Sequence, residues 1–181
     1  MRLLPHAHSD AVPVRGIAIE AARHGAMLAL RYLVAGDIRR VRLPGEGFSE
    51  RTNGLWQRTC CEAFVRSSRS PAYWEFNFSP SRQWAAYSFE RYREGMTPEP
   101  AVSDPRIGLQ SDDGKFVLSA SLDLSGIAAL RGSEDWQLGL SAIVEDRDGN
   151  KSYWALAHPS GKPDFHHLES FVLVLSPHSA A

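Results

Sequence analysis

A chain of 181 residues is long enough for one sizeable hydrophobic core, and no break in its composition calls for a second domain. Its formal net charge of -1 gives no electrostatic case for a nucleic-acid or anionic-membrane partner and leaves small polar ligands open. Charged residues punctuate every strong apolar run, and Pro5, His6, His8 and Asp10 interrupt the stretch an export signal would need, so the expectation is a cytoplasmic protein with no membrane segment.

Residues 1–181 read as one domain with a mobile N-terminal start. The stretch "VPVRGIAIEAARHGAMLALRYLVAG" then predicts two strands around a turn at residues 23–25, with Ile17, Ile19, Leu28 and Leu30 at period-two positions. "DIRRVRLP" reads as an extension of that hairpin, and "GEGFSERTNG" as a polar loop. In "LWQRTCCEAFVR" one strand face carries Leu55, Cys61, Ala63 and Val65. The other carries Trp56, Arg58, Cys60, Glu62, Phe64 and Arg66, a mixture suited to a partly solvated sheet. The two cysteines are the neighbours Cys60 and Cys61, whose geometry disfavours a disulfide, and no C-x-x-C pattern or nearby histidine marks a reactive thiol.

In "AYWEFNF", Trp74, Phe76 and Phe78 share one face and Tyr73, Glu75 and Asn77 the other. "SPSR" at residues 79–82 is a turn, since Pro80 cannot continue an internal ladder. "QWAAYSFE" reads as a strand with Ala85, Tyr87 and Phe89 toward the core and Trp84 facing away; a helix from Ser81 is its local rival. "TPEPAVSDP" is loop, and "RIGLQ" and "KFVLSASLDL" form a hairpin around "SDDG". "SGIAALRGSED" is a short helical or looped crossover. "WQLGLSAIVED" alternates through Trp136, Leu138, Leu140, Ala142 and Val144, a turn follows at residues 147–150, and "KSYWALAH" and "ESFVLVL" supply late strands. Many short alternating runs separated by turns predict an all-β, antiparallel, jelly-roll-like sandwich.

Saccharides combine hydroxyl groups with apolar C–H faces, so a site for one pairs an aromatic platform with planar or charged hydrogen-bonding groups. Trp84 beside Glu75 and Asn77 has that make-up, and Arg58 and Glu62 reach it from a neighbouring strand or form a structural bridge there. Trp56 shares a face with Arg58 and Glu62, and either face of the strand bearing Trp154 suits the core. Late in the chain, His158, Asp164, His166 and His167 contain metal-ligating atoms, but their spacing is not a metal motif; hydrogen bonding or a ligand contact from the loop, by His158 and His166, suits them better. Two carboxylates, Glu62 and Glu75, are also the minimum for glycoside hydrolysis, while no nucleophile-elbow, phosphate-loop or dinucleotide signature is present. No cofactor is expected from these patterns.

The stretches "LWQRTCCEAFV", "YWEFNFSPSRQWAAYSFERYREGM", "SAIVEDRDGNKSYWALAHPSGKPDFHH" and "FVLVL" together resemble bacterial DOMON-like proteins related to family 9 carbohydrate-binding modules, over residues 14–175. The resemblance implies a single antiparallel sandwich that binds sugars or haem without catalysis. It implies Trp56, Trp84 and Trp154 as sugar contacts with Arg58, Glu62, Glu75 and Asn77 beside them, or Met96 and His158 as axial haem ligands by residue type. A structural or protein-interaction domain, in which the same aromatics cover a core or a partner surface, is the alternative.

Overall fold

The computed structural model describes residues 1–10, 13–45, 47–132 and 134–180. Its strands are β1 (Arg2–Pro5), β2 (Val14–His24), β3 (Met27–Gly36), β4 (Cys60–Ser67), β5 (Tyr73–Phe78), β6 (Trp84–Phe89), β7 (Thr97–Pro98), β8 (Arg106–Ser111), β9 (Lys115–Asp123), β10 (Trp136–Glu145), β11 (Lys151–Ala155), β12 (Leu173–Leu175) and β13 (His178–Ala180). Every pairing between them is antiparallel, in the order β7-β6-β5-β4-β10-β11-β1-β2-β3-β9-β8, with β12 on β10 and β13 on β2. The sheet curls so that two layers face each other, the jelly-roll-like sandwich that the alternation predicts.

Period-two patterning builds the shared core. Ile17, Ile19 and Ala21 of β2, Leu28, Leu30, Tyr32 and Val34 of β3, and Phe116, Leu118, Ala120 and Leu122 of β9 meet Cys61, Ala63, Val65, Trp74, Phe76, Phe78, Leu138, Leu140 and Ala142 from the other layer. Arg23 continues the β2 inward row and is fully buried, although its position in the sequence suggests a turn.

The expected mobile start is instead a paired strand. Leu4 and Pro5 of β1 face Ala155 and Trp154 of β11, while Arg2 and Leu3 pair with Ala18 and Ile17 of β2, so β1 stitches one layer to the other. Because β3 occupies the far side of β2, β1 and β13 lie end to end along its remaining edge. Leu3 is buried in the core, and Leu3→Ala is expected to cost about 2–4 kcal/mol in urea denaturation; a loss near zero would mean the stitch is dispensable.

Two further expectations are corrected. "DIRRVRLP" does not extend the β2–β3 hairpin: Ile38–Arg40 form a 3-10 turn, and Val41 bridges to Asp146 instead. The outer face of β4 is not partly solvated either. Cys60 and Phe64 join Tyr73, Ala85, Tyr87, Phe89, Ile143, Ala155, Phe165 and Phe171 in a second apolar cluster on the outside of the β4–β5–β6–β10–β11 layer.

Candidate functional site

That second cluster exists because strands in this layer are apolar on both faces, and a long connection after β11 folds back over the outer one. Gly139 of β10 permits the close approach: a Cβ there would lie 3.1 Å from the Ser170 carbonyl oxygen. The connection does not seal the surface, and a cavity of about 370 Å³ remains between it and the sheet. Its floor is made by Glu62 and Phe64 of β4, Glu75 of β5, Phe89 of β6, Ile143 of β10 and Tyr153 of β11. Trp56, from the 3-10 turn Leu55–Gln57, closes one side, Arg93 and Met96 come from the segment after β6, and Pro163, Phe165 and His166 come from the covering connection.

The strand register explains why the two glutamates share the floor. Glu62 lies opposite Asn77, and Phe64 opposite Glu75, so Glu62 and Glu75 are diagonal neighbours on one face. Both are nearly fully buried. Glu62 Oε2 accepts from Ser141 Oγ at 3.0 Å, and Glu75 Oε1 accepts from Asn77 Nδ2 at 2.7 Å. Asn77 Oδ1 in turn accepts from the Cys60 thiol at 3.5 Å, which burial keeps protonated by raising its pKa well above the ordinary value. Burial, and then the neighbouring Glu75 charge, push the Glu62 carboxyl up to about 8 against the relief of the Ser141 bond. Burial also raises Glu75, opposed by the Asn77 bond and the Arg93 charge. At neutral pH the pair therefore holds a proton and combines an acid with a carboxylate.

His166 is boxed by aromatic rings, its centroid 5.0 Å from Phe64, 5.1 Å from Phe89 and 5.9 Å from Tyr73. Its Nδ1 is 2.9 Å from the Tyr73 hydroxyl and its Nε2 is 3.8 Å from Glu75 Oε2. Burial first, and the Arg93 charge second, lower its pKa to about 4 despite Asp164, so the ring is neutral at physiological pH. Arg93 is held by Asp164 at 2.7 Å, and the same carboxylate accepts from the Tyr92 hydroxyl at 2.5 Å.

Of the residues singled out by sequence, the fold brings Trp56, Glu62, Glu75 and His166 to this cavity, with Asn77 buried behind Glu75 as its donor. Trp84 is elsewhere: it lies opposite Phe78 in the register, on the face of Phe76 and Phe78, 1% exposed in the shared core with the Arg51 guanidinium 4.1 Å over its ring. Ala85, Tyr87 and Phe89 take the cavity side instead. Trp154 also points into the core, its Nε1 bonded to Ser152 Oγ at 2.7 Å, which leaves Tyr153 on the cavity face. Arg58 pairs with Glu145 at 2.8 Å rather than with Glu62. His158 lines a different cleft, with His6 and His8, and donates from Nε2 to the Leu4 carbonyl at 2.8 Å. Met96 and His158 are therefore not opposed across one cavity, which removes the haem arrangement. Among the described residues, His158, Asp164, His166 and His167 do not gather into a metal-holding group.

Sequence reasoning missed Phe64 because it read that face of β4 as partly solvated, Phe89 because it turned that row toward the shared core, and Tyr153 because either face of its strand suits the core. It missed Arg93 and Phe165 because they sit in irregular segments whose placement no period describes.

No protein-family model and no curated protein matches the chain. Its fold is similar to the crystal structure of a putative carbohydrate-binding protein from Bacteroides uniformis ATCC 8492, with a TM-score of 0.64 over 96% of this chain and 85% of that one. The two sequences are 16% identical, so the likeness is one of fold.

Proposed function

We propose that this protein is a non-catalytic binding domain that takes a saccharide or another small polar ligand in the cavity beneath Trp56. The observation that carries the reading is the joining of aromatic walls to a buried carboxyl pair in one concave site of ligand size. Phe64, Phe89, Tyr153, Phe165 and Trp56 supply apolar surface for C–H faces. A protonated Glu62 donates and an ionised Glu75 accepts, the complementary roles that adjacent hydroxyl groups need. The likeness in fold to the putative carbohydrate-binding protein of Bacteroides uniformis supports the same class, as does the resemblance of the sequence to DOMON-like and family 9 modules.

Calorimetry against a panel of mono- and oligosaccharides tests this directly. Trp56 is 37% exposed at the rim and its ring lies 5.9 Å from that of Tyr87, so Trp56→Ala is expected to weaken binding by roughly 5- to 30-fold, about 1–2 kcal/mol, in a variant whose circular dichroism matches the parent's even though its melting temperature falls. A panel in which nothing binds, or a Trp56→Ala variant that binds as tightly as the parent, would count against the site.

A second reading draws on the same carboxyl pair. An acid with raised pKa beside an ionised carboxylate is the division of labour that glycoside hydrolysis uses, and turnover of aryl glycosides that disappears in both Glu62→Gln and Glu75→Gln would establish it.

A further inference from the structure

Building on the binding reading above, we propose that the occupant of this cavity carries a protonated amino group seated between Glu62 and Glu75, so that within the carbohydrate class the site selects an amino sugar over its neutral counterparts. The charge inventory of the lining leads there. Glu62 and Glu75 bring two carboxyl groups to an apolar floor. Among the described residues that line the cavity Arg93 is the one cation, and it is committed to Asp164 at 2.7 Å. His166 adds no charge, because its ring is enclosed by Phe64, Tyr73 and Phe89 and is neutral at physiological pH. The lining thus supplies two buried carboxyls and no free positive partner, an arrangement that is costly once both ionise.

Donor counting sharpens the match. Ser141 serves Glu62 Oε2, and Asn77 serves Glu75 Oε1. Among the described residues no hydrogen bond reaches Glu62 Oε1, and Glu75 Oε2 is approached only by His166 Nε2 at 3.8 Å, beyond hydrogen-bonding distance. Two acceptors of this kind suit a group with several N–H donors and no acceptor of its own, which describes an ammonium. The surrounding rings of Trp56, Phe64, Phe89, Tyr153 and Phe165 add the quadrupolar attraction that aromatic cages offer to organic cations.

The empty site balances itself with a proton. Glu62 is faced by Glu75, by the Ser141 hydroxyl and by the Cys60 and Cys61 thiols; Glu75 is faced by Asn77, His166, Tyr73, Tyr87 and, at longer range, Arg93. None of these groups except Arg93 is positively charged at neutral pH. An incoming ammonium takes the place of the proton: the singly protonated pair and the cation become an ionised pair with the cation bound, and one proton goes to solvent. Affinity accordingly rises with pH up to the point where the ligand's own amine deprotonates.

The experiment is calorimetry of the full chain near pH 7 with glucosamine, galactosamine and mannosamine, each beside its parent hexose and its N-acetyl derivative, plus ethanolamine as an ammonium without a sugar ring. Each titration is run in phosphate and in HEPES, which differ in ionisation enthalpy and carry no primary ammonium, so that proton release appears as a difference in heat. At least one hexosamine is expected to bind about tenfold or more tighter than its two neutral counterparts and to release close to one proton. Glu62→Gln mimics the protonated acid and keeps the fold, and it is expected to abolish both the preference and the release. Neutral sugars that bind as tightly as the hexosamines would overturn the ammonium inference and leave the carbohydrate reading standing. Ethanolamine binding with no sugar bound would sustain the ammonium and sink the carbohydrate class, and silence across the whole set would overturn both.

Discussion

Arg23→Met is expected to destabilise the protein by about 3–5 kcal/mol, measured as the shift of its urea midpoint at constant m-value. The side chain is fully buried at the end of the β2 inward row, yet it makes no ion pair with a carboxylate at hydrogen-bonding distance among the described residues. Its Nε donates to the Gly25 carbonyl at 2.9 Å, Nη1 to those of Glu134 at 2.5 Å and Leu175 at 3.1 Å, and Nη2 to that of Gly132 at 3.2 Å. The guanidinium also stacks 3.7 Å from the centre of the Trp136 ring. One planar fork thereby donates to carbonyl oxygens from the β2–β3 turn, the approach to β10 and the end of β12, and a methionine fills the volume while taking the guanidinium's donors away from all of them. Arg23→Lys should recover less than half of the loss, because one ammonium cannot reproduce the fork. A cost below about 1 kcal/mol for Arg23→Met would mean that water reaches those carbonyls and replaces the side chain.

Stability is expected to fall by about 2 kcal/mol between pH 6.5 and pH 8, and Glu62→Gln is expected to remove that decline. The native carboxyl of Glu62, raised from 4.5 to about 8, keeps its proton where the unfolded chain has lost it. Its favourable state is complete below the unfolded value and is lost progressively as pH rises toward 8, at about 1.4 kcal/mol per pH unit. His166 runs the other way. Its native pKa is lowered from 6.5 to about 4, so its contribution is complete above 6.5 and is lost as pH falls toward 4. Between 4.5 and 6.5 the two slopes oppose each other and produce a plateau, which leaves a decline on the alkaline side and another below pH 4.5. Glu62→Gln should be more stable than the parent by about 3 kcal/mol or more at pH 8. A parent whose urea midpoint stays level from pH 6.5 to pH 8 would show that the carboxyl pair is not desolvated.

The core was legible wherever one face of a strand is apolar and the other polar. Trp74, Phe76 and Phe78 against Glu75 and Asn77 are the clearest case, and the alternation of Phe116, Leu118, Ala120 and Leu122 is another. Legibility fails where both faces are apolar. In β6 the row Ala85, Tyr87 and Phe89 is as suited to burial as Trp84 and Ala86, and composition cannot rank them. Pairing can: the connection at residues 79–83 sets Phe78 opposite Trp84, so Trp84 must follow Phe78 into the core. Arg23 was hidden for a different reason, since a charged residue next to a turn is ordinarily solvated and the carbonyls that receive it come from distant segments. The site was half legible. Glu62 and Glu75 are on the faces that alternation assigns, but their convergence depends on the β4–β5 register and on a covering segment that has no period.

The double pairing of β1 has a consequence for how the molecule is made. Leu4 leaves the ribosome long before Ala155, its partner in β11, exists. At about 5–20 residues per second that interval is on the order of ten seconds or more, during which β1 can settle on β2 but its other edge stays open. The β2–β3 hairpin and the β4–β5–β6 meander can form from near neighbours, whereas joining the layers waits for almost the whole chain. An unpaired strand edge held open through synthesis is where a second nascent chain could add its own β11, so exchange of strands between copies is the misassembly to which this fold is most exposed.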